Sequence, residues 1–146
     1  MHRYEARTRW TGSTGAGWEV YDRAHTASAP PAGQELTVTT GEAKGDPRLL
    51  NPEQLVVVAA SSCQLLWFLH LAAKARIAVV EYGDDAEGEM PEDRLTCIVL
   101  RPRIVVTGHV PVERIERLCQ LAHERCNIAN SLTAEVLVEP AVTAAP

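Results

Sequence analysis

Four cysteines, Cys63, Cys97, Cys119 and Cys126, are the residues of this chain best suited to covalent chemistry. A thiolate is the form of cysteine that attacks, exchanges or binds metal, so the surroundings of each thiol decide its role. Cys97 lies among Leu95, Ile98 and Val99, and Cys119 falls on the apolar face of a helical pattern. Both read as small buried hydrophobes. Cys63 sits in the more polar run Ser61-Ser62-Cys63-Gln64, about three turns into a helix that starts near Asn51-Pro52-Glu53. At that depth the helix dipole gives little help, because its effect fades within the first turn, so a cation must stabilise a Cys63 thiolate. Glu53 could orient an arginine from the preceding segment over the sulfur; the candidates are Arg23 and Arg48, with Lys44 behind them. A guanidinium suits the task better than an ammonium, since it stays charged when partly buried and bonds two oxygens at once. Cys126 lies 63 positions after Cys63, at the end of a second helix. Two packed helices could bring such positions within disulfide reach, and geometry decides whether they do.

Other donors are placed less suggestively. Cys119, His123 and Cys126 recur at i, i+4 and i+7 on one helical stripe, and Cys63 could be a fourth ligand of a zinc site, although no C-x-x-C knuckle is present. His70, two turns beyond Cys63, reads as a core or interface histidine, and His2 and His109 as surface residues. Composition narrows the partners. The chain has 146 residues, 46% apolar and 5% aromatic, which predicts one domain, residues 1–146. Fourteen Lys and Arg against nineteen Asp and Glu give a net charge of -5 with no basic run, the opposite of a nucleic-acid binder. The charged start MHRYEARTRW is unlike a signal peptide, so a cytoplasmic protein with reduced thiols is expected. Leu55–Ala73 is nineteen residues without a charge, long enough to span a bilayer; with Ser61, Ser62, Gln64 and His70 inside it, it reads as a buried helix.

The elements that must position these residues follow from pattern. Arg3–Trp10 alternates as a strand, GSTGAG (12–17) reads as a turn, and Trp18–Arg23 as the second strand of a hairpin. The glycine-rich turn lacks the Gly-Lys-Ser/Thr ending of a phosphate loop. Leu36–Thr40 predicts a third strand, and Asn51-Pro52-Glu53 starts a helix that runs to about Ala75. Ile77–Glu81 predicts a strand, 83–91 an acidic turn-rich stretch, and Leu95–Thr107 one long strand with a bulge or edge at Pro102. A helix begins near Pro111, Ala134–Glu139 is a last strand, and 141–146 reads as a frayed tail. The order implies an α+β fold in which two main helices are segregated from mostly antiparallel sheets.

Two blocks, Asn51-Pro52-Glu53-Gln54-Leu55 followed by Ala60-Ser61-Ser62-Cys63, and Ala122-His123-Glu124-Arg125-Cys126-Asn127-Ile128-Ala129-Asn130-Ser131, resemble the OsmC/Ohr family of osmotically inducible and organic hydroperoxide resistance proteins. The stretch from Cys63 to Met90 is similar to its OsmC-like branch. The resemblance implies an intertwined homodimer with active sites at the subunit interface, and a peroxidase in which Cys63 is peroxidatic, Cys126 resolving, and Glu53 the partner of a catalytic arginine. In the hydroperoxide-resistance branch that arginine lies where this chain has Ser13 and Thr14, whereas Tyr21-Asp22-Arg23-Ala24-His25 resembles a segment of OsmC-like members and points to Arg23. Gln64 stands where relatives often have His. The resemblance implies no bound cofactor; an external dithiol, typically a dihydrolipoyl group on a protein, resets the disulfide. A different reading keeps the fold as a non-enzymatic stress-related or ligand-binding dimer with passive thiols.

Overall fold

The computed structural model describes residues 1–41 and 43–146. The chain forms two compact units, Met1–Leu55 and Val56–Pro146.

In the first unit, β1 (Arg7–Arg9), β2 (His25–Ser28) and β3 (Glu35–Val38) form an antiparallel sheet in the order β1-β2-β3. The register sets Arg7 opposite Ser28 and His25 opposite Val38. The predicted hairpin is therefore present, but its second strand begins at His25. Residues 18–23 are turn and irregular backbone, not strand. There the Trp10 indole N–H donates to the Asp22 carbonyl at 2.7 Å, and Trp10 meets the Tyr21 ring edge-on, so the segment is fastened by side chains instead of a ladder. After β3 the Thr39 N–H donates to Leu50 O at 2.9 Å. This brings the chain to the start of α1 (Pro52–Lys74).

Reciprocal side-chain bonds cap that helix. Asn51 Oδ1 accepts from the Gln54 N–H at 2.9 Å, and Gln54 Oε1 accepts from the Asn51 N–H at 3.1 Å. Two otherwise orphaned amides are satisfied, with Pro52 in the first helical position where its missing N–H costs nothing. At the other end the Ile77 N–H donates to Ala72 O and the Arg76 N–H to Ala73 O, around Arg76 at φ 55°. This is the left-handed termination usually built on glycine, here made by an arginine. By length and composition α1 could cross a membrane; in the protein Ala60, Gln64, Phe68, Leu71 and Ala72 are buried.

The second unit carries two three-stranded sheets, β4-β7-β9 and β5-β6-β8. They are built from β4 (Val79–Asp84), β5 (Glu87–Glu89), β6 (Cys97–Leu100), β7 (Pro102–Val106), β8 (Glu135–Val138) and β9 (Ala141–Ala144), with α2 (Val112–Arg125) between β7 and β8. The expected long strand 95–107 is thus two strands in two sheets. The cause is local: Pro102 has no amide to give a ladder, and the Arg101 N–H donates to Asp84 Oδ1 at 2.6 Å, so the chain steps from one sheet to the other. The same step recurs at Glu139-Pro140, where β8 lies parallel to β6 and β9 parallel to β7. Residues 141–144 are therefore an edge strand, and the expected frayed tail is corrected: a partner 38 positions upstream, Arg103 opposite Ala141, holds it. The acidic stretch 83–91 likewise contains β5, paired with β6.

Two apolar clusters result. Phe68, Leu71 and Ala72 of α1 pack with Ile115, Cys119 and Ala122 of α2 and with Ile104 and Val106 of β7. Ala60 packs with Ile98, Leu100 and Val136 on the other sheet. The α+β class, two helices with mostly antiparallel pairing, stands as expected, with two parallel pairings added.

Candidate functional site

Cys63 is half-buried on α1, and Cys126 caps the C-terminus of α2 at 1% exposure. Both are free thiols. The fold brings them close enough for the Cys63 thiol to act on the Cys126 thiol. Burial, foremost, pushes the Cys126 thiol up to about 11; the Ala129 N–H opposes this, and the adjoining Cys63 thiol adds to it. That amide donates to Cys126 Sγ at 3.4 Å. The backbone turns tightly there, with the Asn130 N–H on Cys126 O at 2.9 Å and the one-turn helix Ala129–Ser131 following. Ser131 Oγ donates to Asn127 O at 2.7 Å and Asn130 Nδ2 to Glu124 O at 3.1 Å. Cys126 is therefore fixed by backbone on both sides.

Two residues flanking Cys63 reach across to α2 and the segment beyond it. Gln64, fully buried, donates from Nε2 to Cys119 O at 3.0 Å, and its Oε1 has no partner. Trp67 donates its indole N–H to Asn127 Oδ1 at 2.8 Å. Neither role was readable from sequence, although both residues lie in or beside the cysteine blocks. On the opposite side of α1, Ser61 Oγ donates to Asp84 Oδ2 at 2.6 Å. Val57, Val58, Ser61, Leu65, Tyr82 and Asp84 are among the residues that border a cleft of about 430 Å³. The Tyr82 hydroxyl there is buried without a partner, and burial, with the Asp84 charge second, raises its pKa.

The candidate cations are each held by local contacts within the first unit. Arg23 donates to Tyr21 O at 2.6 Å and to Trp18 O, with its guanidinium 3.7 Å from the centre of the Tyr21 ring. Arg48 pairs with Asp46 at 2.8 Å, and Lys44 reaches Glu19 O and the Trp18 ring. Glu53 has a buried oxygen, Oε2, without a partner, and forms no ion pair among the described residues. The expected Glu53–Arg23 pair is thus not formed, because two nearby carbonyls and an aromatic face already occupy the guanidinium. Gly41 leaves the room that Asn51 and Glu53 fill: a Cβ there would stand 3.1 Å from Asn51 Nδ2 and 3.4 Å from Glu53 Oε2.

The remaining candidates resolve simply. Cys119 is buried in the core as expected, with its thiol pushed up to about 12 by burial and then by Glu116. Cys97 is half-buried. His70 is exposed and meets the edge of Trp67, which corrects its reading as a core residue; His2 and His109 are exposed. His123 has a buried Nδ1 without a partner, and among the described residues no group of three metal-capable side chains is assembled.

A buried free thiol at the end of α2 and a more accessible one on α1, brought close in an α+β fold, define a class of two-thiol domains. Residues 44–141 match the family model described as OsmC-like protein, and the chain belongs to that family. An OsmC-like protein of unknown function from Vibrio cholerae is 31% identical, with a TM-score of 0.87 over 97% of this chain and 100% of that one. An organic hydroperoxide resistance protein OsmC of Legionella pneumophila shares the fold at 20% identity and a TM-score of 0.68, covering 98% of each chain. The organic hydroperoxide resistance protein OhrB of Bacillus subtilis does so at 15% identity and 0.64, over 97% of this chain and 98% of that one. No curated protein matches the chain significantly.

Proposed function

We propose that this chain is a two-cysteine peroxidase that reduces organic hydroperoxides to alcohols. The observation that carries the reading is the meeting of Cys63 with Cys126 as free thiols, from positions 63 residues apart. The family and the names of its hydroperoxide resistance members support it. Cys63, the more exposed sulfur, attacks the distal oxygen of ROOH as a thiolate; the O–O bond breaks, the alkoxide takes a proton and leaves as alcohol, and Cys63 becomes a sulfenic acid. Cys126, held as a thiol at neutral pH, then attacks Cys63 Sγ; the S–O bond breaks, hydroxide leaves with the Cys126 proton as water, and a disulfide remains. An external dithiol, such as a dihydrolipoyl protein, reduces it and is itself oxidised. The resemblance assigns thiolate activation to Glu53 and Arg23, a pairing for which Arg23 must first leave the Tyr21 and Trp18 carbonyls.

The working unit is a cytoplasmic homodimer, not inserted in membrane and without nucleic acid. Exposed Val58, Leu66 and Leu69 on α1, with Tyr4, Trp10 and Trp18, are apolar surface of the kind a second copy covers. A titration with an alkyl hydroperoxide tests the reading: two thiols per chain are lost and restored by dithiol. Steady turnover by Cys63→Ser would refute it, whereas Cys126→Ser is expected to stop at sulfenic acid or over-oxidise. A second reading, a non-enzymatic stress-related or binding dimer, is favoured by the local engagement of Arg23, Arg48 and Lys44. It predicts no thiol loss in the same titration and no effect of Arg23→Ala.

A further inference from the structure

Closing a disulfide requires two sulfurs to approach to bonding distance with little tolerance in angle, so whatever holds α1 against the segment after α2 controls that step. Among the described residues, Gln64 makes a polar contact to α2 itself and Trp67 to the segment after it. Gln64 is anchored inside, on the Cys119 carbonyl at 3.0 Å. Trp67, one helical turn after Cys63, donates to Asn127 Oδ1 at 2.8 Å, and Asn127 directly follows Cys126. The Asn127 carbonyl is itself held by Ser131 Oγ at 2.7 Å, and the Ala129 N–H, between the two, rests on Cys126 Sγ at 3.4 Å. A pull on the Asn127 side chain is therefore a pull on the closed turn that carries the sulfur.

We infer that the Trp67–Asn127 hydrogen bond is a clamp that sets the geometry for disulfide closure between Cys63 and Cys126. This deepens the two-thiol reading and rests on it. Trp67 and Asn127 are positioning residues: they act through the placement of Cys126. The clamp matters because the sulfenic acid has two fates. Attack by Cys126 gives the disulfide and water, in one step within the chain. Attack on a second hydroperoxide gives sulfinic acid and a second alcohol, and its rate grows with peroxide concentration. Loosening the clamp slows the first fate and leaves the second untouched. The initial attack of Cys63 on ROOH needs no Cys126 geometry, so its rate stays as it was.

The test uses the full chain with Trp67→Phe, which removes the donor and keeps a ring, Asn127→Leu, which removes the acceptor, and Asn127→Asp, which retains one. In mixtures of reduced and oxidised dithiothreitol, the fraction of Cys63–Cys126 disulfide is measured at equilibrium. Trp67→Phe and Asn127→Leu should lower the equilibrium constant for closure roughly five-fold, the value of one hydrogen bond, while Asn127→Asp stays near the parent. With tert-butyl hydroperoxide and mass spectrometry, the ratio of sulfinic acid to disulfide should rise by a similar factor in the first two variants, at an unchanged rate of first thiol loss. An unchanged dithiol equilibrium in both loosened variants overturns the clamp, as does Asn127→Asp behaving like Asn127→Leu. A shifted equilibrium in a protein whose thiols ignore hydroperoxide supports the clamp and refutes the peroxidase.

Discussion

The strands of the two units differ little in length and greatly in burial. In the first unit β1 is exposed throughout and β3 buries only Val38, which with Thr39 makes up all its buried residues among those described. In the second, β6 and β7 bury Ile98, Val99, Leu100, Pro102, Ile104 and Val106. The central strands of the second unit pack against helices, whereas the first unit leaves Tyr4, Trp10, Trp18, Val20 and Leu36 exposed. Burial in a sheet comes from what covers it, not from the strand itself. The thiol pair lies in the unit whose side chains interlock, where a sulfur position is fixed by its neighbours. In the first unit Arg23, Lys44, Trp10 and Trp18 are held by contacts within that unit.

The contrast is open to direct attack. Phe68→Ala, which empties the middle of the larger cluster, should cost about 3–5 kcal/mol by denaturant unfolding. Trp18→Ala, which loses an exposed ring under Lys44, should cost about 1 kcal/mol or less. Equal costs would erase the difference between the units. Alkaline unfolding probes the second unit from another side. Cys126 and Cys119 have folded values of about 11 and about 12, above an ordinary 9.0. A thiol raised in this way supports the folded state while protonated, so its contribution is complete below pH 9 and is lost as pH climbs toward the folded value. Cys126→Ser should make the fall of Tm between pH 9 and 11 shallower. An unchanged slope would mean that Cys126 is not buried as described.

Smaller effects test the ends of α1. Asn51→Ala should lower stability by about 1 kcal/mol in thermal unfolding, by removing one half of the reciprocal cap. Arg76→Gly should raise it by about 0.5–1 kcal/mol, since glycine adopts φ 55° without a Cβ penalty.

What the sequence revealed follows the range of the interactions. The start of α1 was legible because Asn51 and Pro52 act on amides within one turn. The step at Arg101-Pro102 was half legible: proline announced an irregularity, but the change of sheet depends on Asp84, 17 residues earlier. β9 was missed because its small residues become a strand only beside β7. At the site, the two cysteine blocks carried the resemblance and so pointed to Cys63 and Cys126. The links around them were not legible, since Trp67–Asn127 and Gln64–Cys119 span 60 and 55 positions and exist only once the helices pack. Arg23 was named by resemblance, and its hold on Tyr21 O and Trp18 O was not legible because it forms only once residues 18–23 turn.

The paired steps at Arg101-Pro102 and Glu139-Pro140 have a dynamic consequence. Each sheet of the second unit takes its middle strand from one half of the same segment and a parallel edge from one half of the other. The two sheets are thereby stitched along a common crease, and neither can open without dragging on its twin. In native-state hydrogen exchange, β6 to β9 should behave as a single cooperative block instead of two sheets with separate lifetimes.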